Sequence, residues 1–561
     1  MKLAPPVTSE SPTLSLSGLT RSLSVSMILL TAIFFALHFV HLSADFPNHS
    51  GWMDWSKYTD EGWYGDAAIR HFQLGHWYVS GDFNPAVALP VWPLLEAAFF
   101  RITGVSIVAA RMLSVGIFGG ILLASWFLLR SNRPTRRSSL TASSAVLLLA
   151  VSPFCFVFTR LAILEPLLSF LTLLALLVAQ GFETGPPTHR RIPGWALLRV
   201  NALRIVGLGL LLPAMVLTKT TGLFLIPSVF WMLWSAFGFR IRLFLFHAVP
   251  AASIGLGIWL GYFLAVVRPH YLLDYRYLFS ANAYTGITLK NFFGVLFWTL
   301  HGGFWMGRLL YWLALASTVL ALARVRYLRS HPLIPALLFW AVGYAAFLAY
   351  HNNLQPRYYL VIAVPMTLLV PLVFDQLLLP LLLAVRPQRV VLGAASFFFV
   401  ALLVNDARQT LTFVLHPQYT FLGAARCVRD YIDEDRRKDP GHNPLVLSIS
   451  GSDLSLMTGI HSICDDFGTL ELGDRVKQYM PGWYVAWNQV DDDKMDAMTP
   501  LFRVTRVASF PAMDDPERNL LILYRLDPTS PTRPRARRRK PTPRLLETKV
   551  GQQPSTNQLE H

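Results

Sequence analysis

The sequence predicts a mainly α-helical, polytopic membrane protein of about eleven spans, give or take about two, with a small α/β C-terminal domain outside the membrane. The first observation is composition: 53% of the 561 residues are hydrophobic, 15% are charged and the mean hydropathy is +0.42, as in chains that lie in lipid. The second is a series of apolar runs of about 20 residues, the length that crosses a bilayer as a helix. The third is a change of composition after residue 404, beyond which more than half of the Asp and Glu residues fall.

Taken in order, the Ser/Thr/Pro-rich residues 1–20 are expected to be disordered and cytoplasmic, and residues 21–404 to form the transmembrane domain. The apolar run from Leu23 to His41 is longer than a signal-peptide core and is not followed by a clear cleavage site, so it is interpreted as a retained first span. A long loop follows at 43–104, called the first loop below. The other apolar runs lie near 105–129, 139–157, 161–180, 203–217, 221–238, 243–267, 305–323, 333–350, 358–380 and 388–404.

The loops between these runs indicate an orientation. With the N-terminus inside, every cytoplasmic loop is basic: Arg130–Arg137, 181–204, Arg240–Arg242, Arg324–Arg329 and Arg386–Arg389. The loops on the other side are 43–104, 159–160, 218–220, 268–304 and 350–359. This agrees with the positive-inside rule at every loop, so we expect a multi-pass protein of the inner (plasma) membrane. The formal net charge of +16 is explained by these loops, and no nucleic-acid partner is expected.

Residues 405–526 are expected to form the extracytoplasmic α/β domain. The pattern predicts a helix over 418–438, strands at 445–450, 483–487, 503–509 and 520–524, and a helix capped by Ser450–Asp453. The Asp491–Asp493 run is interpreted as a solvated helix start rather than a metal site. Cys427 and Cys464 could pair in an oxidising compartment. Residues 527–561, with the basic run Arg535–Lys540, are interpreted as a disordered tail able to touch anionic lipid.

The topology gathers unusual polar residues on the outer side of the membrane. Asp60 and Glu61 lie in the first loop, Arg160 and Glu165 open a span, and further outer-side candidates follow at Lys219, His301, Arg308 and Arg357. Ionisable groups near lipid are costly and are usually kept for function. Plainer interpretations stay open: a local Arg160–Glu165 ion pair, a snorkelling Lys219, and a headgroup contact for Arg357.

These residues resemble the motifs of the glycosyltransferase-C superfamily, in particular the group of protein O-mannosyltransferases and lipid A aminoarabinose transferases. The matching features are Asp60-Glu61, Arg160…Glu165, the Lys219 turn in 217–222, and Gln355-Pro356-Arg357-Tyr358. The resemblance covers roughly residues 20–405. The group's Lys-Pro-Pro segment is replaced by residues 89–94, which contain no lysine, so that phosphate contact comes from Arg70 or His76 or is absent.

The resemblance implies a membrane glycosyltransferase that moves a sugar from a polyprenyl-phosphate donor to a hydroxyl of a lipid, glycan or protein acceptor on the outer face, with inversion. Asp60 is expected to be the general base, with Glu61 second and Glu165 orienting the acceptor; the reverse, with Glu165 as base, stays open. No cofactor and no metal are expected. The donor phosphate would be bound by Arg357, Lys219, Arg160 and Arg70, and the site would be lined by Tyr64, His76, His301, Gln355, Tyr358 and Tyr359.

Two other classes of function remain open at this point. A transporter or lipid flippase would use the acids as proton or substrate carriers, but it predicts charges at mid-membrane depth, whereas these lie mostly at span ends. A non-catalytic membrane scaffold would display the C-terminal domain and would leave the outer charges unexplained.

Overall fold

The computed structural model describes residues 13–54, 57–132, 136–183, 194–281, 287–351, 354–384, 388–488, 492–515 and 518–529. Outside the described residues lie residues 530–561 of the basic tail expected at 527–561, Asp491, and parts of the loops expected to be cytoplasmic, at 133–135, 184–193 and 385–387.

Helices dominate the first three quarters of the chain. They are α1 (Thr13–Leu37), α2 (Asp60–Leu74), α3 (Val91–Thr103), α4 (Ile107–Asn132), α5 (Arg136–Val151), α6 (Pro153–Phe158), α7 (Leu164–Gln180), α8 (Gly194–Thr218), α9 (Ile226–Ala236), α10 (Ile241–Tyr262), α11 (Arg268–His270), α12 (Leu272–Ala281), α13 (Phe292–Gly302), α14 (Arg308–Ala323), α15 (Val325–Leu328), α16 (Leu333–His351), α17 (Leu360–Val373), α18 (Leu379–Leu382) and α19 (Gln388–Leu415). Short 3₁₀ turns lie at Pro85–Val87, Thr220–Leu225, Gly303–Met306 and Pro356–Tyr359, and π turns at Phe263–Val267 and Phe374–Leu378.

The described helices confirm a polytopic membrane protein. Seven of them are long and apolar enough to cross a bilayer, and five further apolar helices are shorter. Several predicted spans are divided, which is why helix length does not fix a span count. The run at 139–157, for example, is divided between α5, which ends at Val151, and α6, which begins at Pro153. The helix is interrupted there because proline cannot donate the backbone hydrogen bond that would continue it.

Three boundaries differ from the prediction. α1 begins at Thr13, inside the segment expected to be disordered, because extending an apolar helix costs less than starting one. The expected outer loop 268–304 contains α12 and α13, and α13 is apolar but too short to be recognised as a span. α19 continues to Leu415, past residue 404, although polar residues enter its last turns.

The C-terminal domain, defined here as α20–α23 and β1–β5, is the predicted α/β unit. Its elements are α20 (Thr420–Lys438), β1 (Val446–Leu447), α21 (Gly451–Thr458), β2 (Ser462–Ile463), α22 (Leu472–Tyr479), β3 (Trp483–Ala486), α23 (Asp492–Met498), β4 (Phe502–Pro511) and β5 (Leu520–Pro528). The strand order is β2-β1-β3-β5-β4, in which β1 runs parallel to β2 and β3, and β5 runs antiparallel to β3 and β4.

Local details of this domain correct the sequence analysis. The two-residue strand β2 was not predicted. Ser450 does precede α21, but its side chain caps nothing and instead accepts a hydrogen bond from Trp487 Nε1 at 3.1 Å. Cys427 is exposed and Cys464 buried, and both are free, so the possible disulfide is wrong. Acidic residues open α23, beginning with Asp492, as expected of a helix start.

The helix α17 lies at the centre of the transmembrane bundle. Nearly all of its residues are buried, and it packs against α5, α7, α14 and α16. An α-helix that is apolar on all sides is typical of a protein core or of a membrane span. The Pro356–Tyr359 turn that precedes this helix is buried as well, so Arg357 is enclosed by the folded chain.

The first loop and the C-terminal domain are joined by buried polar contacts. The Asp45 carboxylate accepts hydrogen bonds from the backbone N–H groups of Phe421 and Leu422 at 2.8 and 3.2 Å, which caps α20 from another part of the chain. Burial raises the pKa of Asp45 to about 6. Asp82 accepts from the Cys464 backbone N–H at 3.0 Å. The two parts therefore form one connected structure.

Candidate active site

The first half of the candidate site is a buried arginine held by two carboxylates. Arg357 donates through its backbone N–H and through Nη1 to the two oxygens of Asp54, at 2.7 and 2.6 Å. Its Nη2 lies 2.9 Å from Asp60 Oδ2. All three side chains are almost completely buried. Because Asp54 fixes two donors of the 356–359 turn, the guanidinium plane has one orientation, with Nη2 aimed at Asp60 and Nε without a hydrogen-bond partner among the described residues.

The second half is a buried lysine–carboxylate pair. Lys219 Nζ donates to Glu165 Oε1, and both residues are buried. Lys219 follows the end of α8, and Glu165 lies in the first turn of α7, where a negative charge is favoured by the helix dipole. The second oxygen of Glu165 has no hydrogen-bond partner within the described chain, which is costly unless a ligand or water satisfies it.

Tyr358 joins the two halves. Lys219 Nζ lies 4.1 Å from the centre of its ring, and the Arg357 guanidinium carbon lies 4.7 Å from the same centre. The Tyr358 hydroxyl accepts from Arg357 Nη2 at 3.3 Å. Tyr64, one turn after Asp60, faces the same group: burial and then the neighbouring Asp60 charge raise the pKa of its phenol. We call Asp54, Asp60, Glu165, Lys219 and Arg357 the central cluster.

Asp60 is placed to be a stronger base than a solvated aspartate. Burial raises the pKa of its carboxyl, and the nearby Asp54 and Glu165 charges act in the same direction, while the Arg357 guanidinium opposes them. The adjacent Arg357 cation thus favours the ionised carboxylate, while burial increases the affinity of this carboxylate for a proton. This combination suits a general base.

Glu61 does not join the central cluster, contrary to the expectation that it shares the catalytic role. Its two oxygens pair with Arg111 Nε and Nη2 at 2.8 and 2.5 Å, and Oε1 also accepts from the Ala162 backbone N–H at 2.9 Å. Arg111 in turn donates to the backbone carbonyls of Leu42 and Ala44. This bidentate pair therefore ties the first loop to α4 and to the turn before α7.

Removing Arg111 tests this structural role. Arg111→Met should lower stability by about 3–5 kcal/mol, because it leaves the Glu61 carboxylate buried without its partner. The control is Arg204→Met, which breaks a pair with Glu183 whose side chains are 33% and 57% exposed and should cost no more than about 1 kcal/mol. Thermal denaturation in detergent compares the two variants. Equal losses would contradict the assignment.

Two arginines expected at the donor phosphate have other partners. Arg70 contacts Asp66 at 2.8 Å and Asp82 at 2.5 Å, and its Nη1 donates to Asn84 at 3.2 Å, within the network that joins the first loop to the C-terminal domain. Arg160 Nη2 donates to the backbone carbonyls of Val40 and His41 at 2.6 and 2.7 Å. The described contacts of both residues are with groups outside the central cluster, so we omit them from the proposed donor site.

The expected lining residues divide in the same way. Tyr64 and Tyr358 face the central cluster. Gln355 is half-buried two residues before Arg357, and its carbonyl accepts from the Tyr358 backbone N–H at 3.1 Å. Other candidates lie elsewhere: Tyr359 donates to the Thr299 carbonyl at 2.8 Å and packs on Trp305, His301 is exposed among aromatic rings, and His76 is exposed beside a cleft between the first loop and β2.

Sequence reasoning missed Asp54 and Arg111. Asp54 precedes the Asp60-Glu61 pair by six residues in the same loop, and only the folded contact with Arg357 distinguishes it from a solvated acid. Arg111 could have been recognised as a candidate from the sequence, because it is an ionisable residue near the start of an apolar span. Among the described residues, no group of three His, Cys, Asp or Glu side chains is arranged to hold a metal ion.

Comparison with known proteins adds the identity of the fold. No protein-family model matches the sequence, and no curated protein matches it significantly. Among solved structures, ArnT from Cupriavidus metallidurans bound to undecaprenyl phosphate is similar, with a TM-score of 0.58 and 14% identity over 88% of this chain and 97% of that chain. The same protein in the apo state gives 0.52 and 13% over the same shares. This chain therefore has the fold of ArnT, in agreement with the resemblance that its sequence motifs indicated.

Proposed function

We propose that this protein is an inverting membrane glycosyltransferase that moves a sugar from a polyprenyl-phosphate donor to a hydroxyl acceptor. The observation that carries the proposal is the central cluster, in which a buried arginine and a buried lysine flank one tyrosine ring beside carboxylates that can act as bases. The fold is that of ArnT, solved with undecaprenyl phosphate, and a polyprenyl phosphate is the donor that the sequence motifs imply.

Arg357 and Lys219 would bind the donor phosphate. Asp54 orients the guanidinium, so that binding phosphate at Nε, which has no partner among the described residues, costs little ordering of the side chain. As the bond from the sugar to phosphate oxygen breaks, negative charge grows on the leaving phosphate. Two fixed cations in a buried site stabilise that charge without transferring a proton.

Asp60 would remove the proton from the acceptor hydroxyl. The hydroxyl oxygen forms the new bond to the anomeric carbon as the phosphate leaves from the opposite face, which inverts that carbon. The proton passes to the Asp60 carboxylate and the bonding electrons pass to the phosphate. Glu165 would orient the acceptor through the oxygen that Lys219 does not occupy. The assignment with Glu165 as base uses the same geometry and is tested in parallel below.

A transporter is the second candidate and is less well supported. Its carboxylates would have to exchange protons or substrate across the bilayer, whereas Asp60 and Arg357 lie at helix starts on the face toward the C-terminal domain. The likeness to ArnT in overall fold also favours an enzyme.

The proposed function is tested by donor turnover. The purified protein is incubated with a panel of radiolabelled polyprenyl-phosphate sugars and a membrane extract as the source of acceptor. We expect loss of label from one donor and its appearance on a lipid, glycan or protein. If no donor in the panel loses sugar faster than in a protein-free control, the proposed function is wrong.

Orientation in the membrane is a further proposal. We place the N-terminus and the five Arg-rich loops in the cytoplasm of a plasma-membrane protein, with the C-terminal domain outside, because the charge bias agrees at each loop. Reporter fusions after Arg136 and Asp439 should report opposite sides of the membrane. Finding both reporters on one side would contradict the orientation.

A further inference from the structure

The helix that carries Asp60 has no cap of its own. α2 begins at Asp60, and the preceding Thr59 occupies the capping position without accepting a hydrogen bond from the first turn. Its hydroxyl instead lies 3.2 Å from Asp60 Oδ1, as a donor. The first backbone N–H groups of an α-helix have no partner within the helix, and leaving them buried and unbonded is unfavourable.

The missing cap is supplied by the C-terminal domain. Asp453, in the first turn of α21, accepts a hydrogen bond from the Gly62 backbone N–H at 2.7 Å. Gly62 is the third residue of α2, the position whose N–H a capping side chain normally satisfies. Asp453 is only 2% exposed, and its second oxygen has no hydrogen-bond partner among the described residues. The contact joins residues 391 positions apart in the chain.

Neighbouring contacts hold α21 against α2 at this point. Ser452 Oγ donates to Asp66 Oδ1 at 3.0 Å, and Trp63 Nε1 donates to the Ile449 carbonyl at 3.1 Å. Gly62 permits the approach, because a Cβ at this position would overlap the backbone of Ser452. The first turn of α2 is therefore fixed from outside by a backbone-to-backbone fit and by one carboxyl group.

We propose that Asp453 is a positioning residue of the reaction, through which the C-terminal domain holds Asp60 in register with Arg357. This inference rests on the proposed function for its catalytic consequence. The C-terminal domain is then part of the catalytic centre and is not only a surface for acceptors. A displacement of about 1 Å at a reacting group can cost about 100-fold in rate, so loss of this cap should appear in turnover.

The capping role requires an acceptor oxygen and no negative charge. Burial raises the pKa of Asp453 well above its ordinary value, and the neighbouring Glu61 charge acts in the same direction. A neutral carboxyl still accepts from Gly62 through its carbonyl oxygen. Asparagine offers the same oxygen at the same reach, so Asp453→Asn should act as a conservative rescue.

The test compares Asp453→Ala with Asp453→Asn. The neighbouring control is Thr458→Ala, because the Thr458 hydroxyl donates only to the Leu454 carbonyl within α21 among its described contacts. In Asp453→Ala we expect kcat to fall about 10- to 100-fold with the donor KM within about threefold of the parent. Asp453→Asn and Thr458→Ala should keep kcat within about threefold. A purely structural role would lower the amount of folded protein without separating kcat from KM. If Asp453→Ala does not fold, Asp453→Ser, whose shorter side chain does not reach Gly62, takes its place.

Hydrogen exchange gives a second readout that does not depend on activity. Peptides covering 60–66 should lose amide protection in Asp453→Ala and keep it in Asp453→Asn. Unchanged kcat and protection in Asp453→Ala would overturn the inference while leaving the proposed function intact, as would an Asn variant as slow as the Ala variant. A parent protein that transfers no sugar refutes the proposed function instead, and the exchange result then decides the capping role alone.

Discussion

Asp60→Asn is expected to reduce turnover by about 10²–10⁴-fold, the usual effect of removing a positioned acid or base. The amide keeps the size of the carboxyl but cannot take up the acceptor proton. Donor binding should remain near normal, because Asp54 still holds Arg357 through two hydrogen bonds. Single-turnover measurements at saturating donor separate the chemical step from binding.

The matched variant is Glu165→Gln, compared through the pH dependence of kcat/KM. A general base must be deprotonated, so activity falls as the pH drops through its pKa. Because burial raises the pKa of Asp60, the acidic limb of the parent should lie above the value of about 3.9 for a solvated aspartate. Loss of this limb in only one variant identifies the base. If both variants turn over at the rate of the parent protein, neither carboxylate is the general base and the proposed mechanism is wrong.

Arg357→Lys and Arg357→Ala are expected to raise the donor KM by about 30- to 150-fold, corresponding to the loss of about 2–3 kcal/mol from a charge-assisted contact. Even lysine should fail, because it cannot present donors to Asp54, Asp60 and a phosphate from one fixed plane. Kinetics across donor concentrations measure this effect, after thermal denaturation has selected variants that remain folded.

Arg160→Lys is the control for this prediction. Arg160 is also an arginine near the same face, but its Nη2 donates to backbone carbonyls of the chain before the first loop. The donor KM of Arg160→Lys should equal that of the parent protein. An unchanged donor KM in Arg357→Ala would move the phosphate site elsewhere, and a large increase in Arg160→Lys would restore the wider site expected from the motifs.

Much of the central cluster could be anticipated from the sequence, because the charge of the loops predicts on which side of the membrane each loop lies. Glu165, Lys219 and Arg357 each border an apolar run, and Asp60 lies in the first loop. Alternation of the runs places all four at one face. The structure brings these residues into two adjacent ion pairs. Their catalytic roles remain proposals.

The ion-pair partners of individual residues could not be predicted, because they depend on packing between distant segments. Glu61 differs from Asp60 by one position, yet the helical turn points it toward Arg111 and away from Arg357. Arg70 was expected to contact a phosphate, but the 76–84 segment folds back and supplies Asp82 as its partner. Neither pairing has a local sequence signature.

The C-terminal domain shows the same division between local and distant information. Its long strands and α20 follow from alternation and helical periodicity. The capping of α20 by Asp45 and of α2 by Asp453 does not, because each cap comes from the opposite part of the chain. Ser450 has the sequence of a cap, but its hydroxyl is taken by Trp487.

The central claim is that Arg357 and Lys219 of the central cluster recognise the phosphate of a polyprenyl lipid. A lipid-binding measurement tests this claim without knowledge of the sugar or the acceptor. The purified parent protein is titrated with undecaprenyl phosphate and with uncharged undecaprenol, and thermal stabilisation is measured for each. We predict stabilisation by the phosphate lipid, little by the alcohol, and loss of the difference in Arg357→Ala. Equal stabilisation by both lipids in the parent would show that only the tail is bound and would contradict the proposed site.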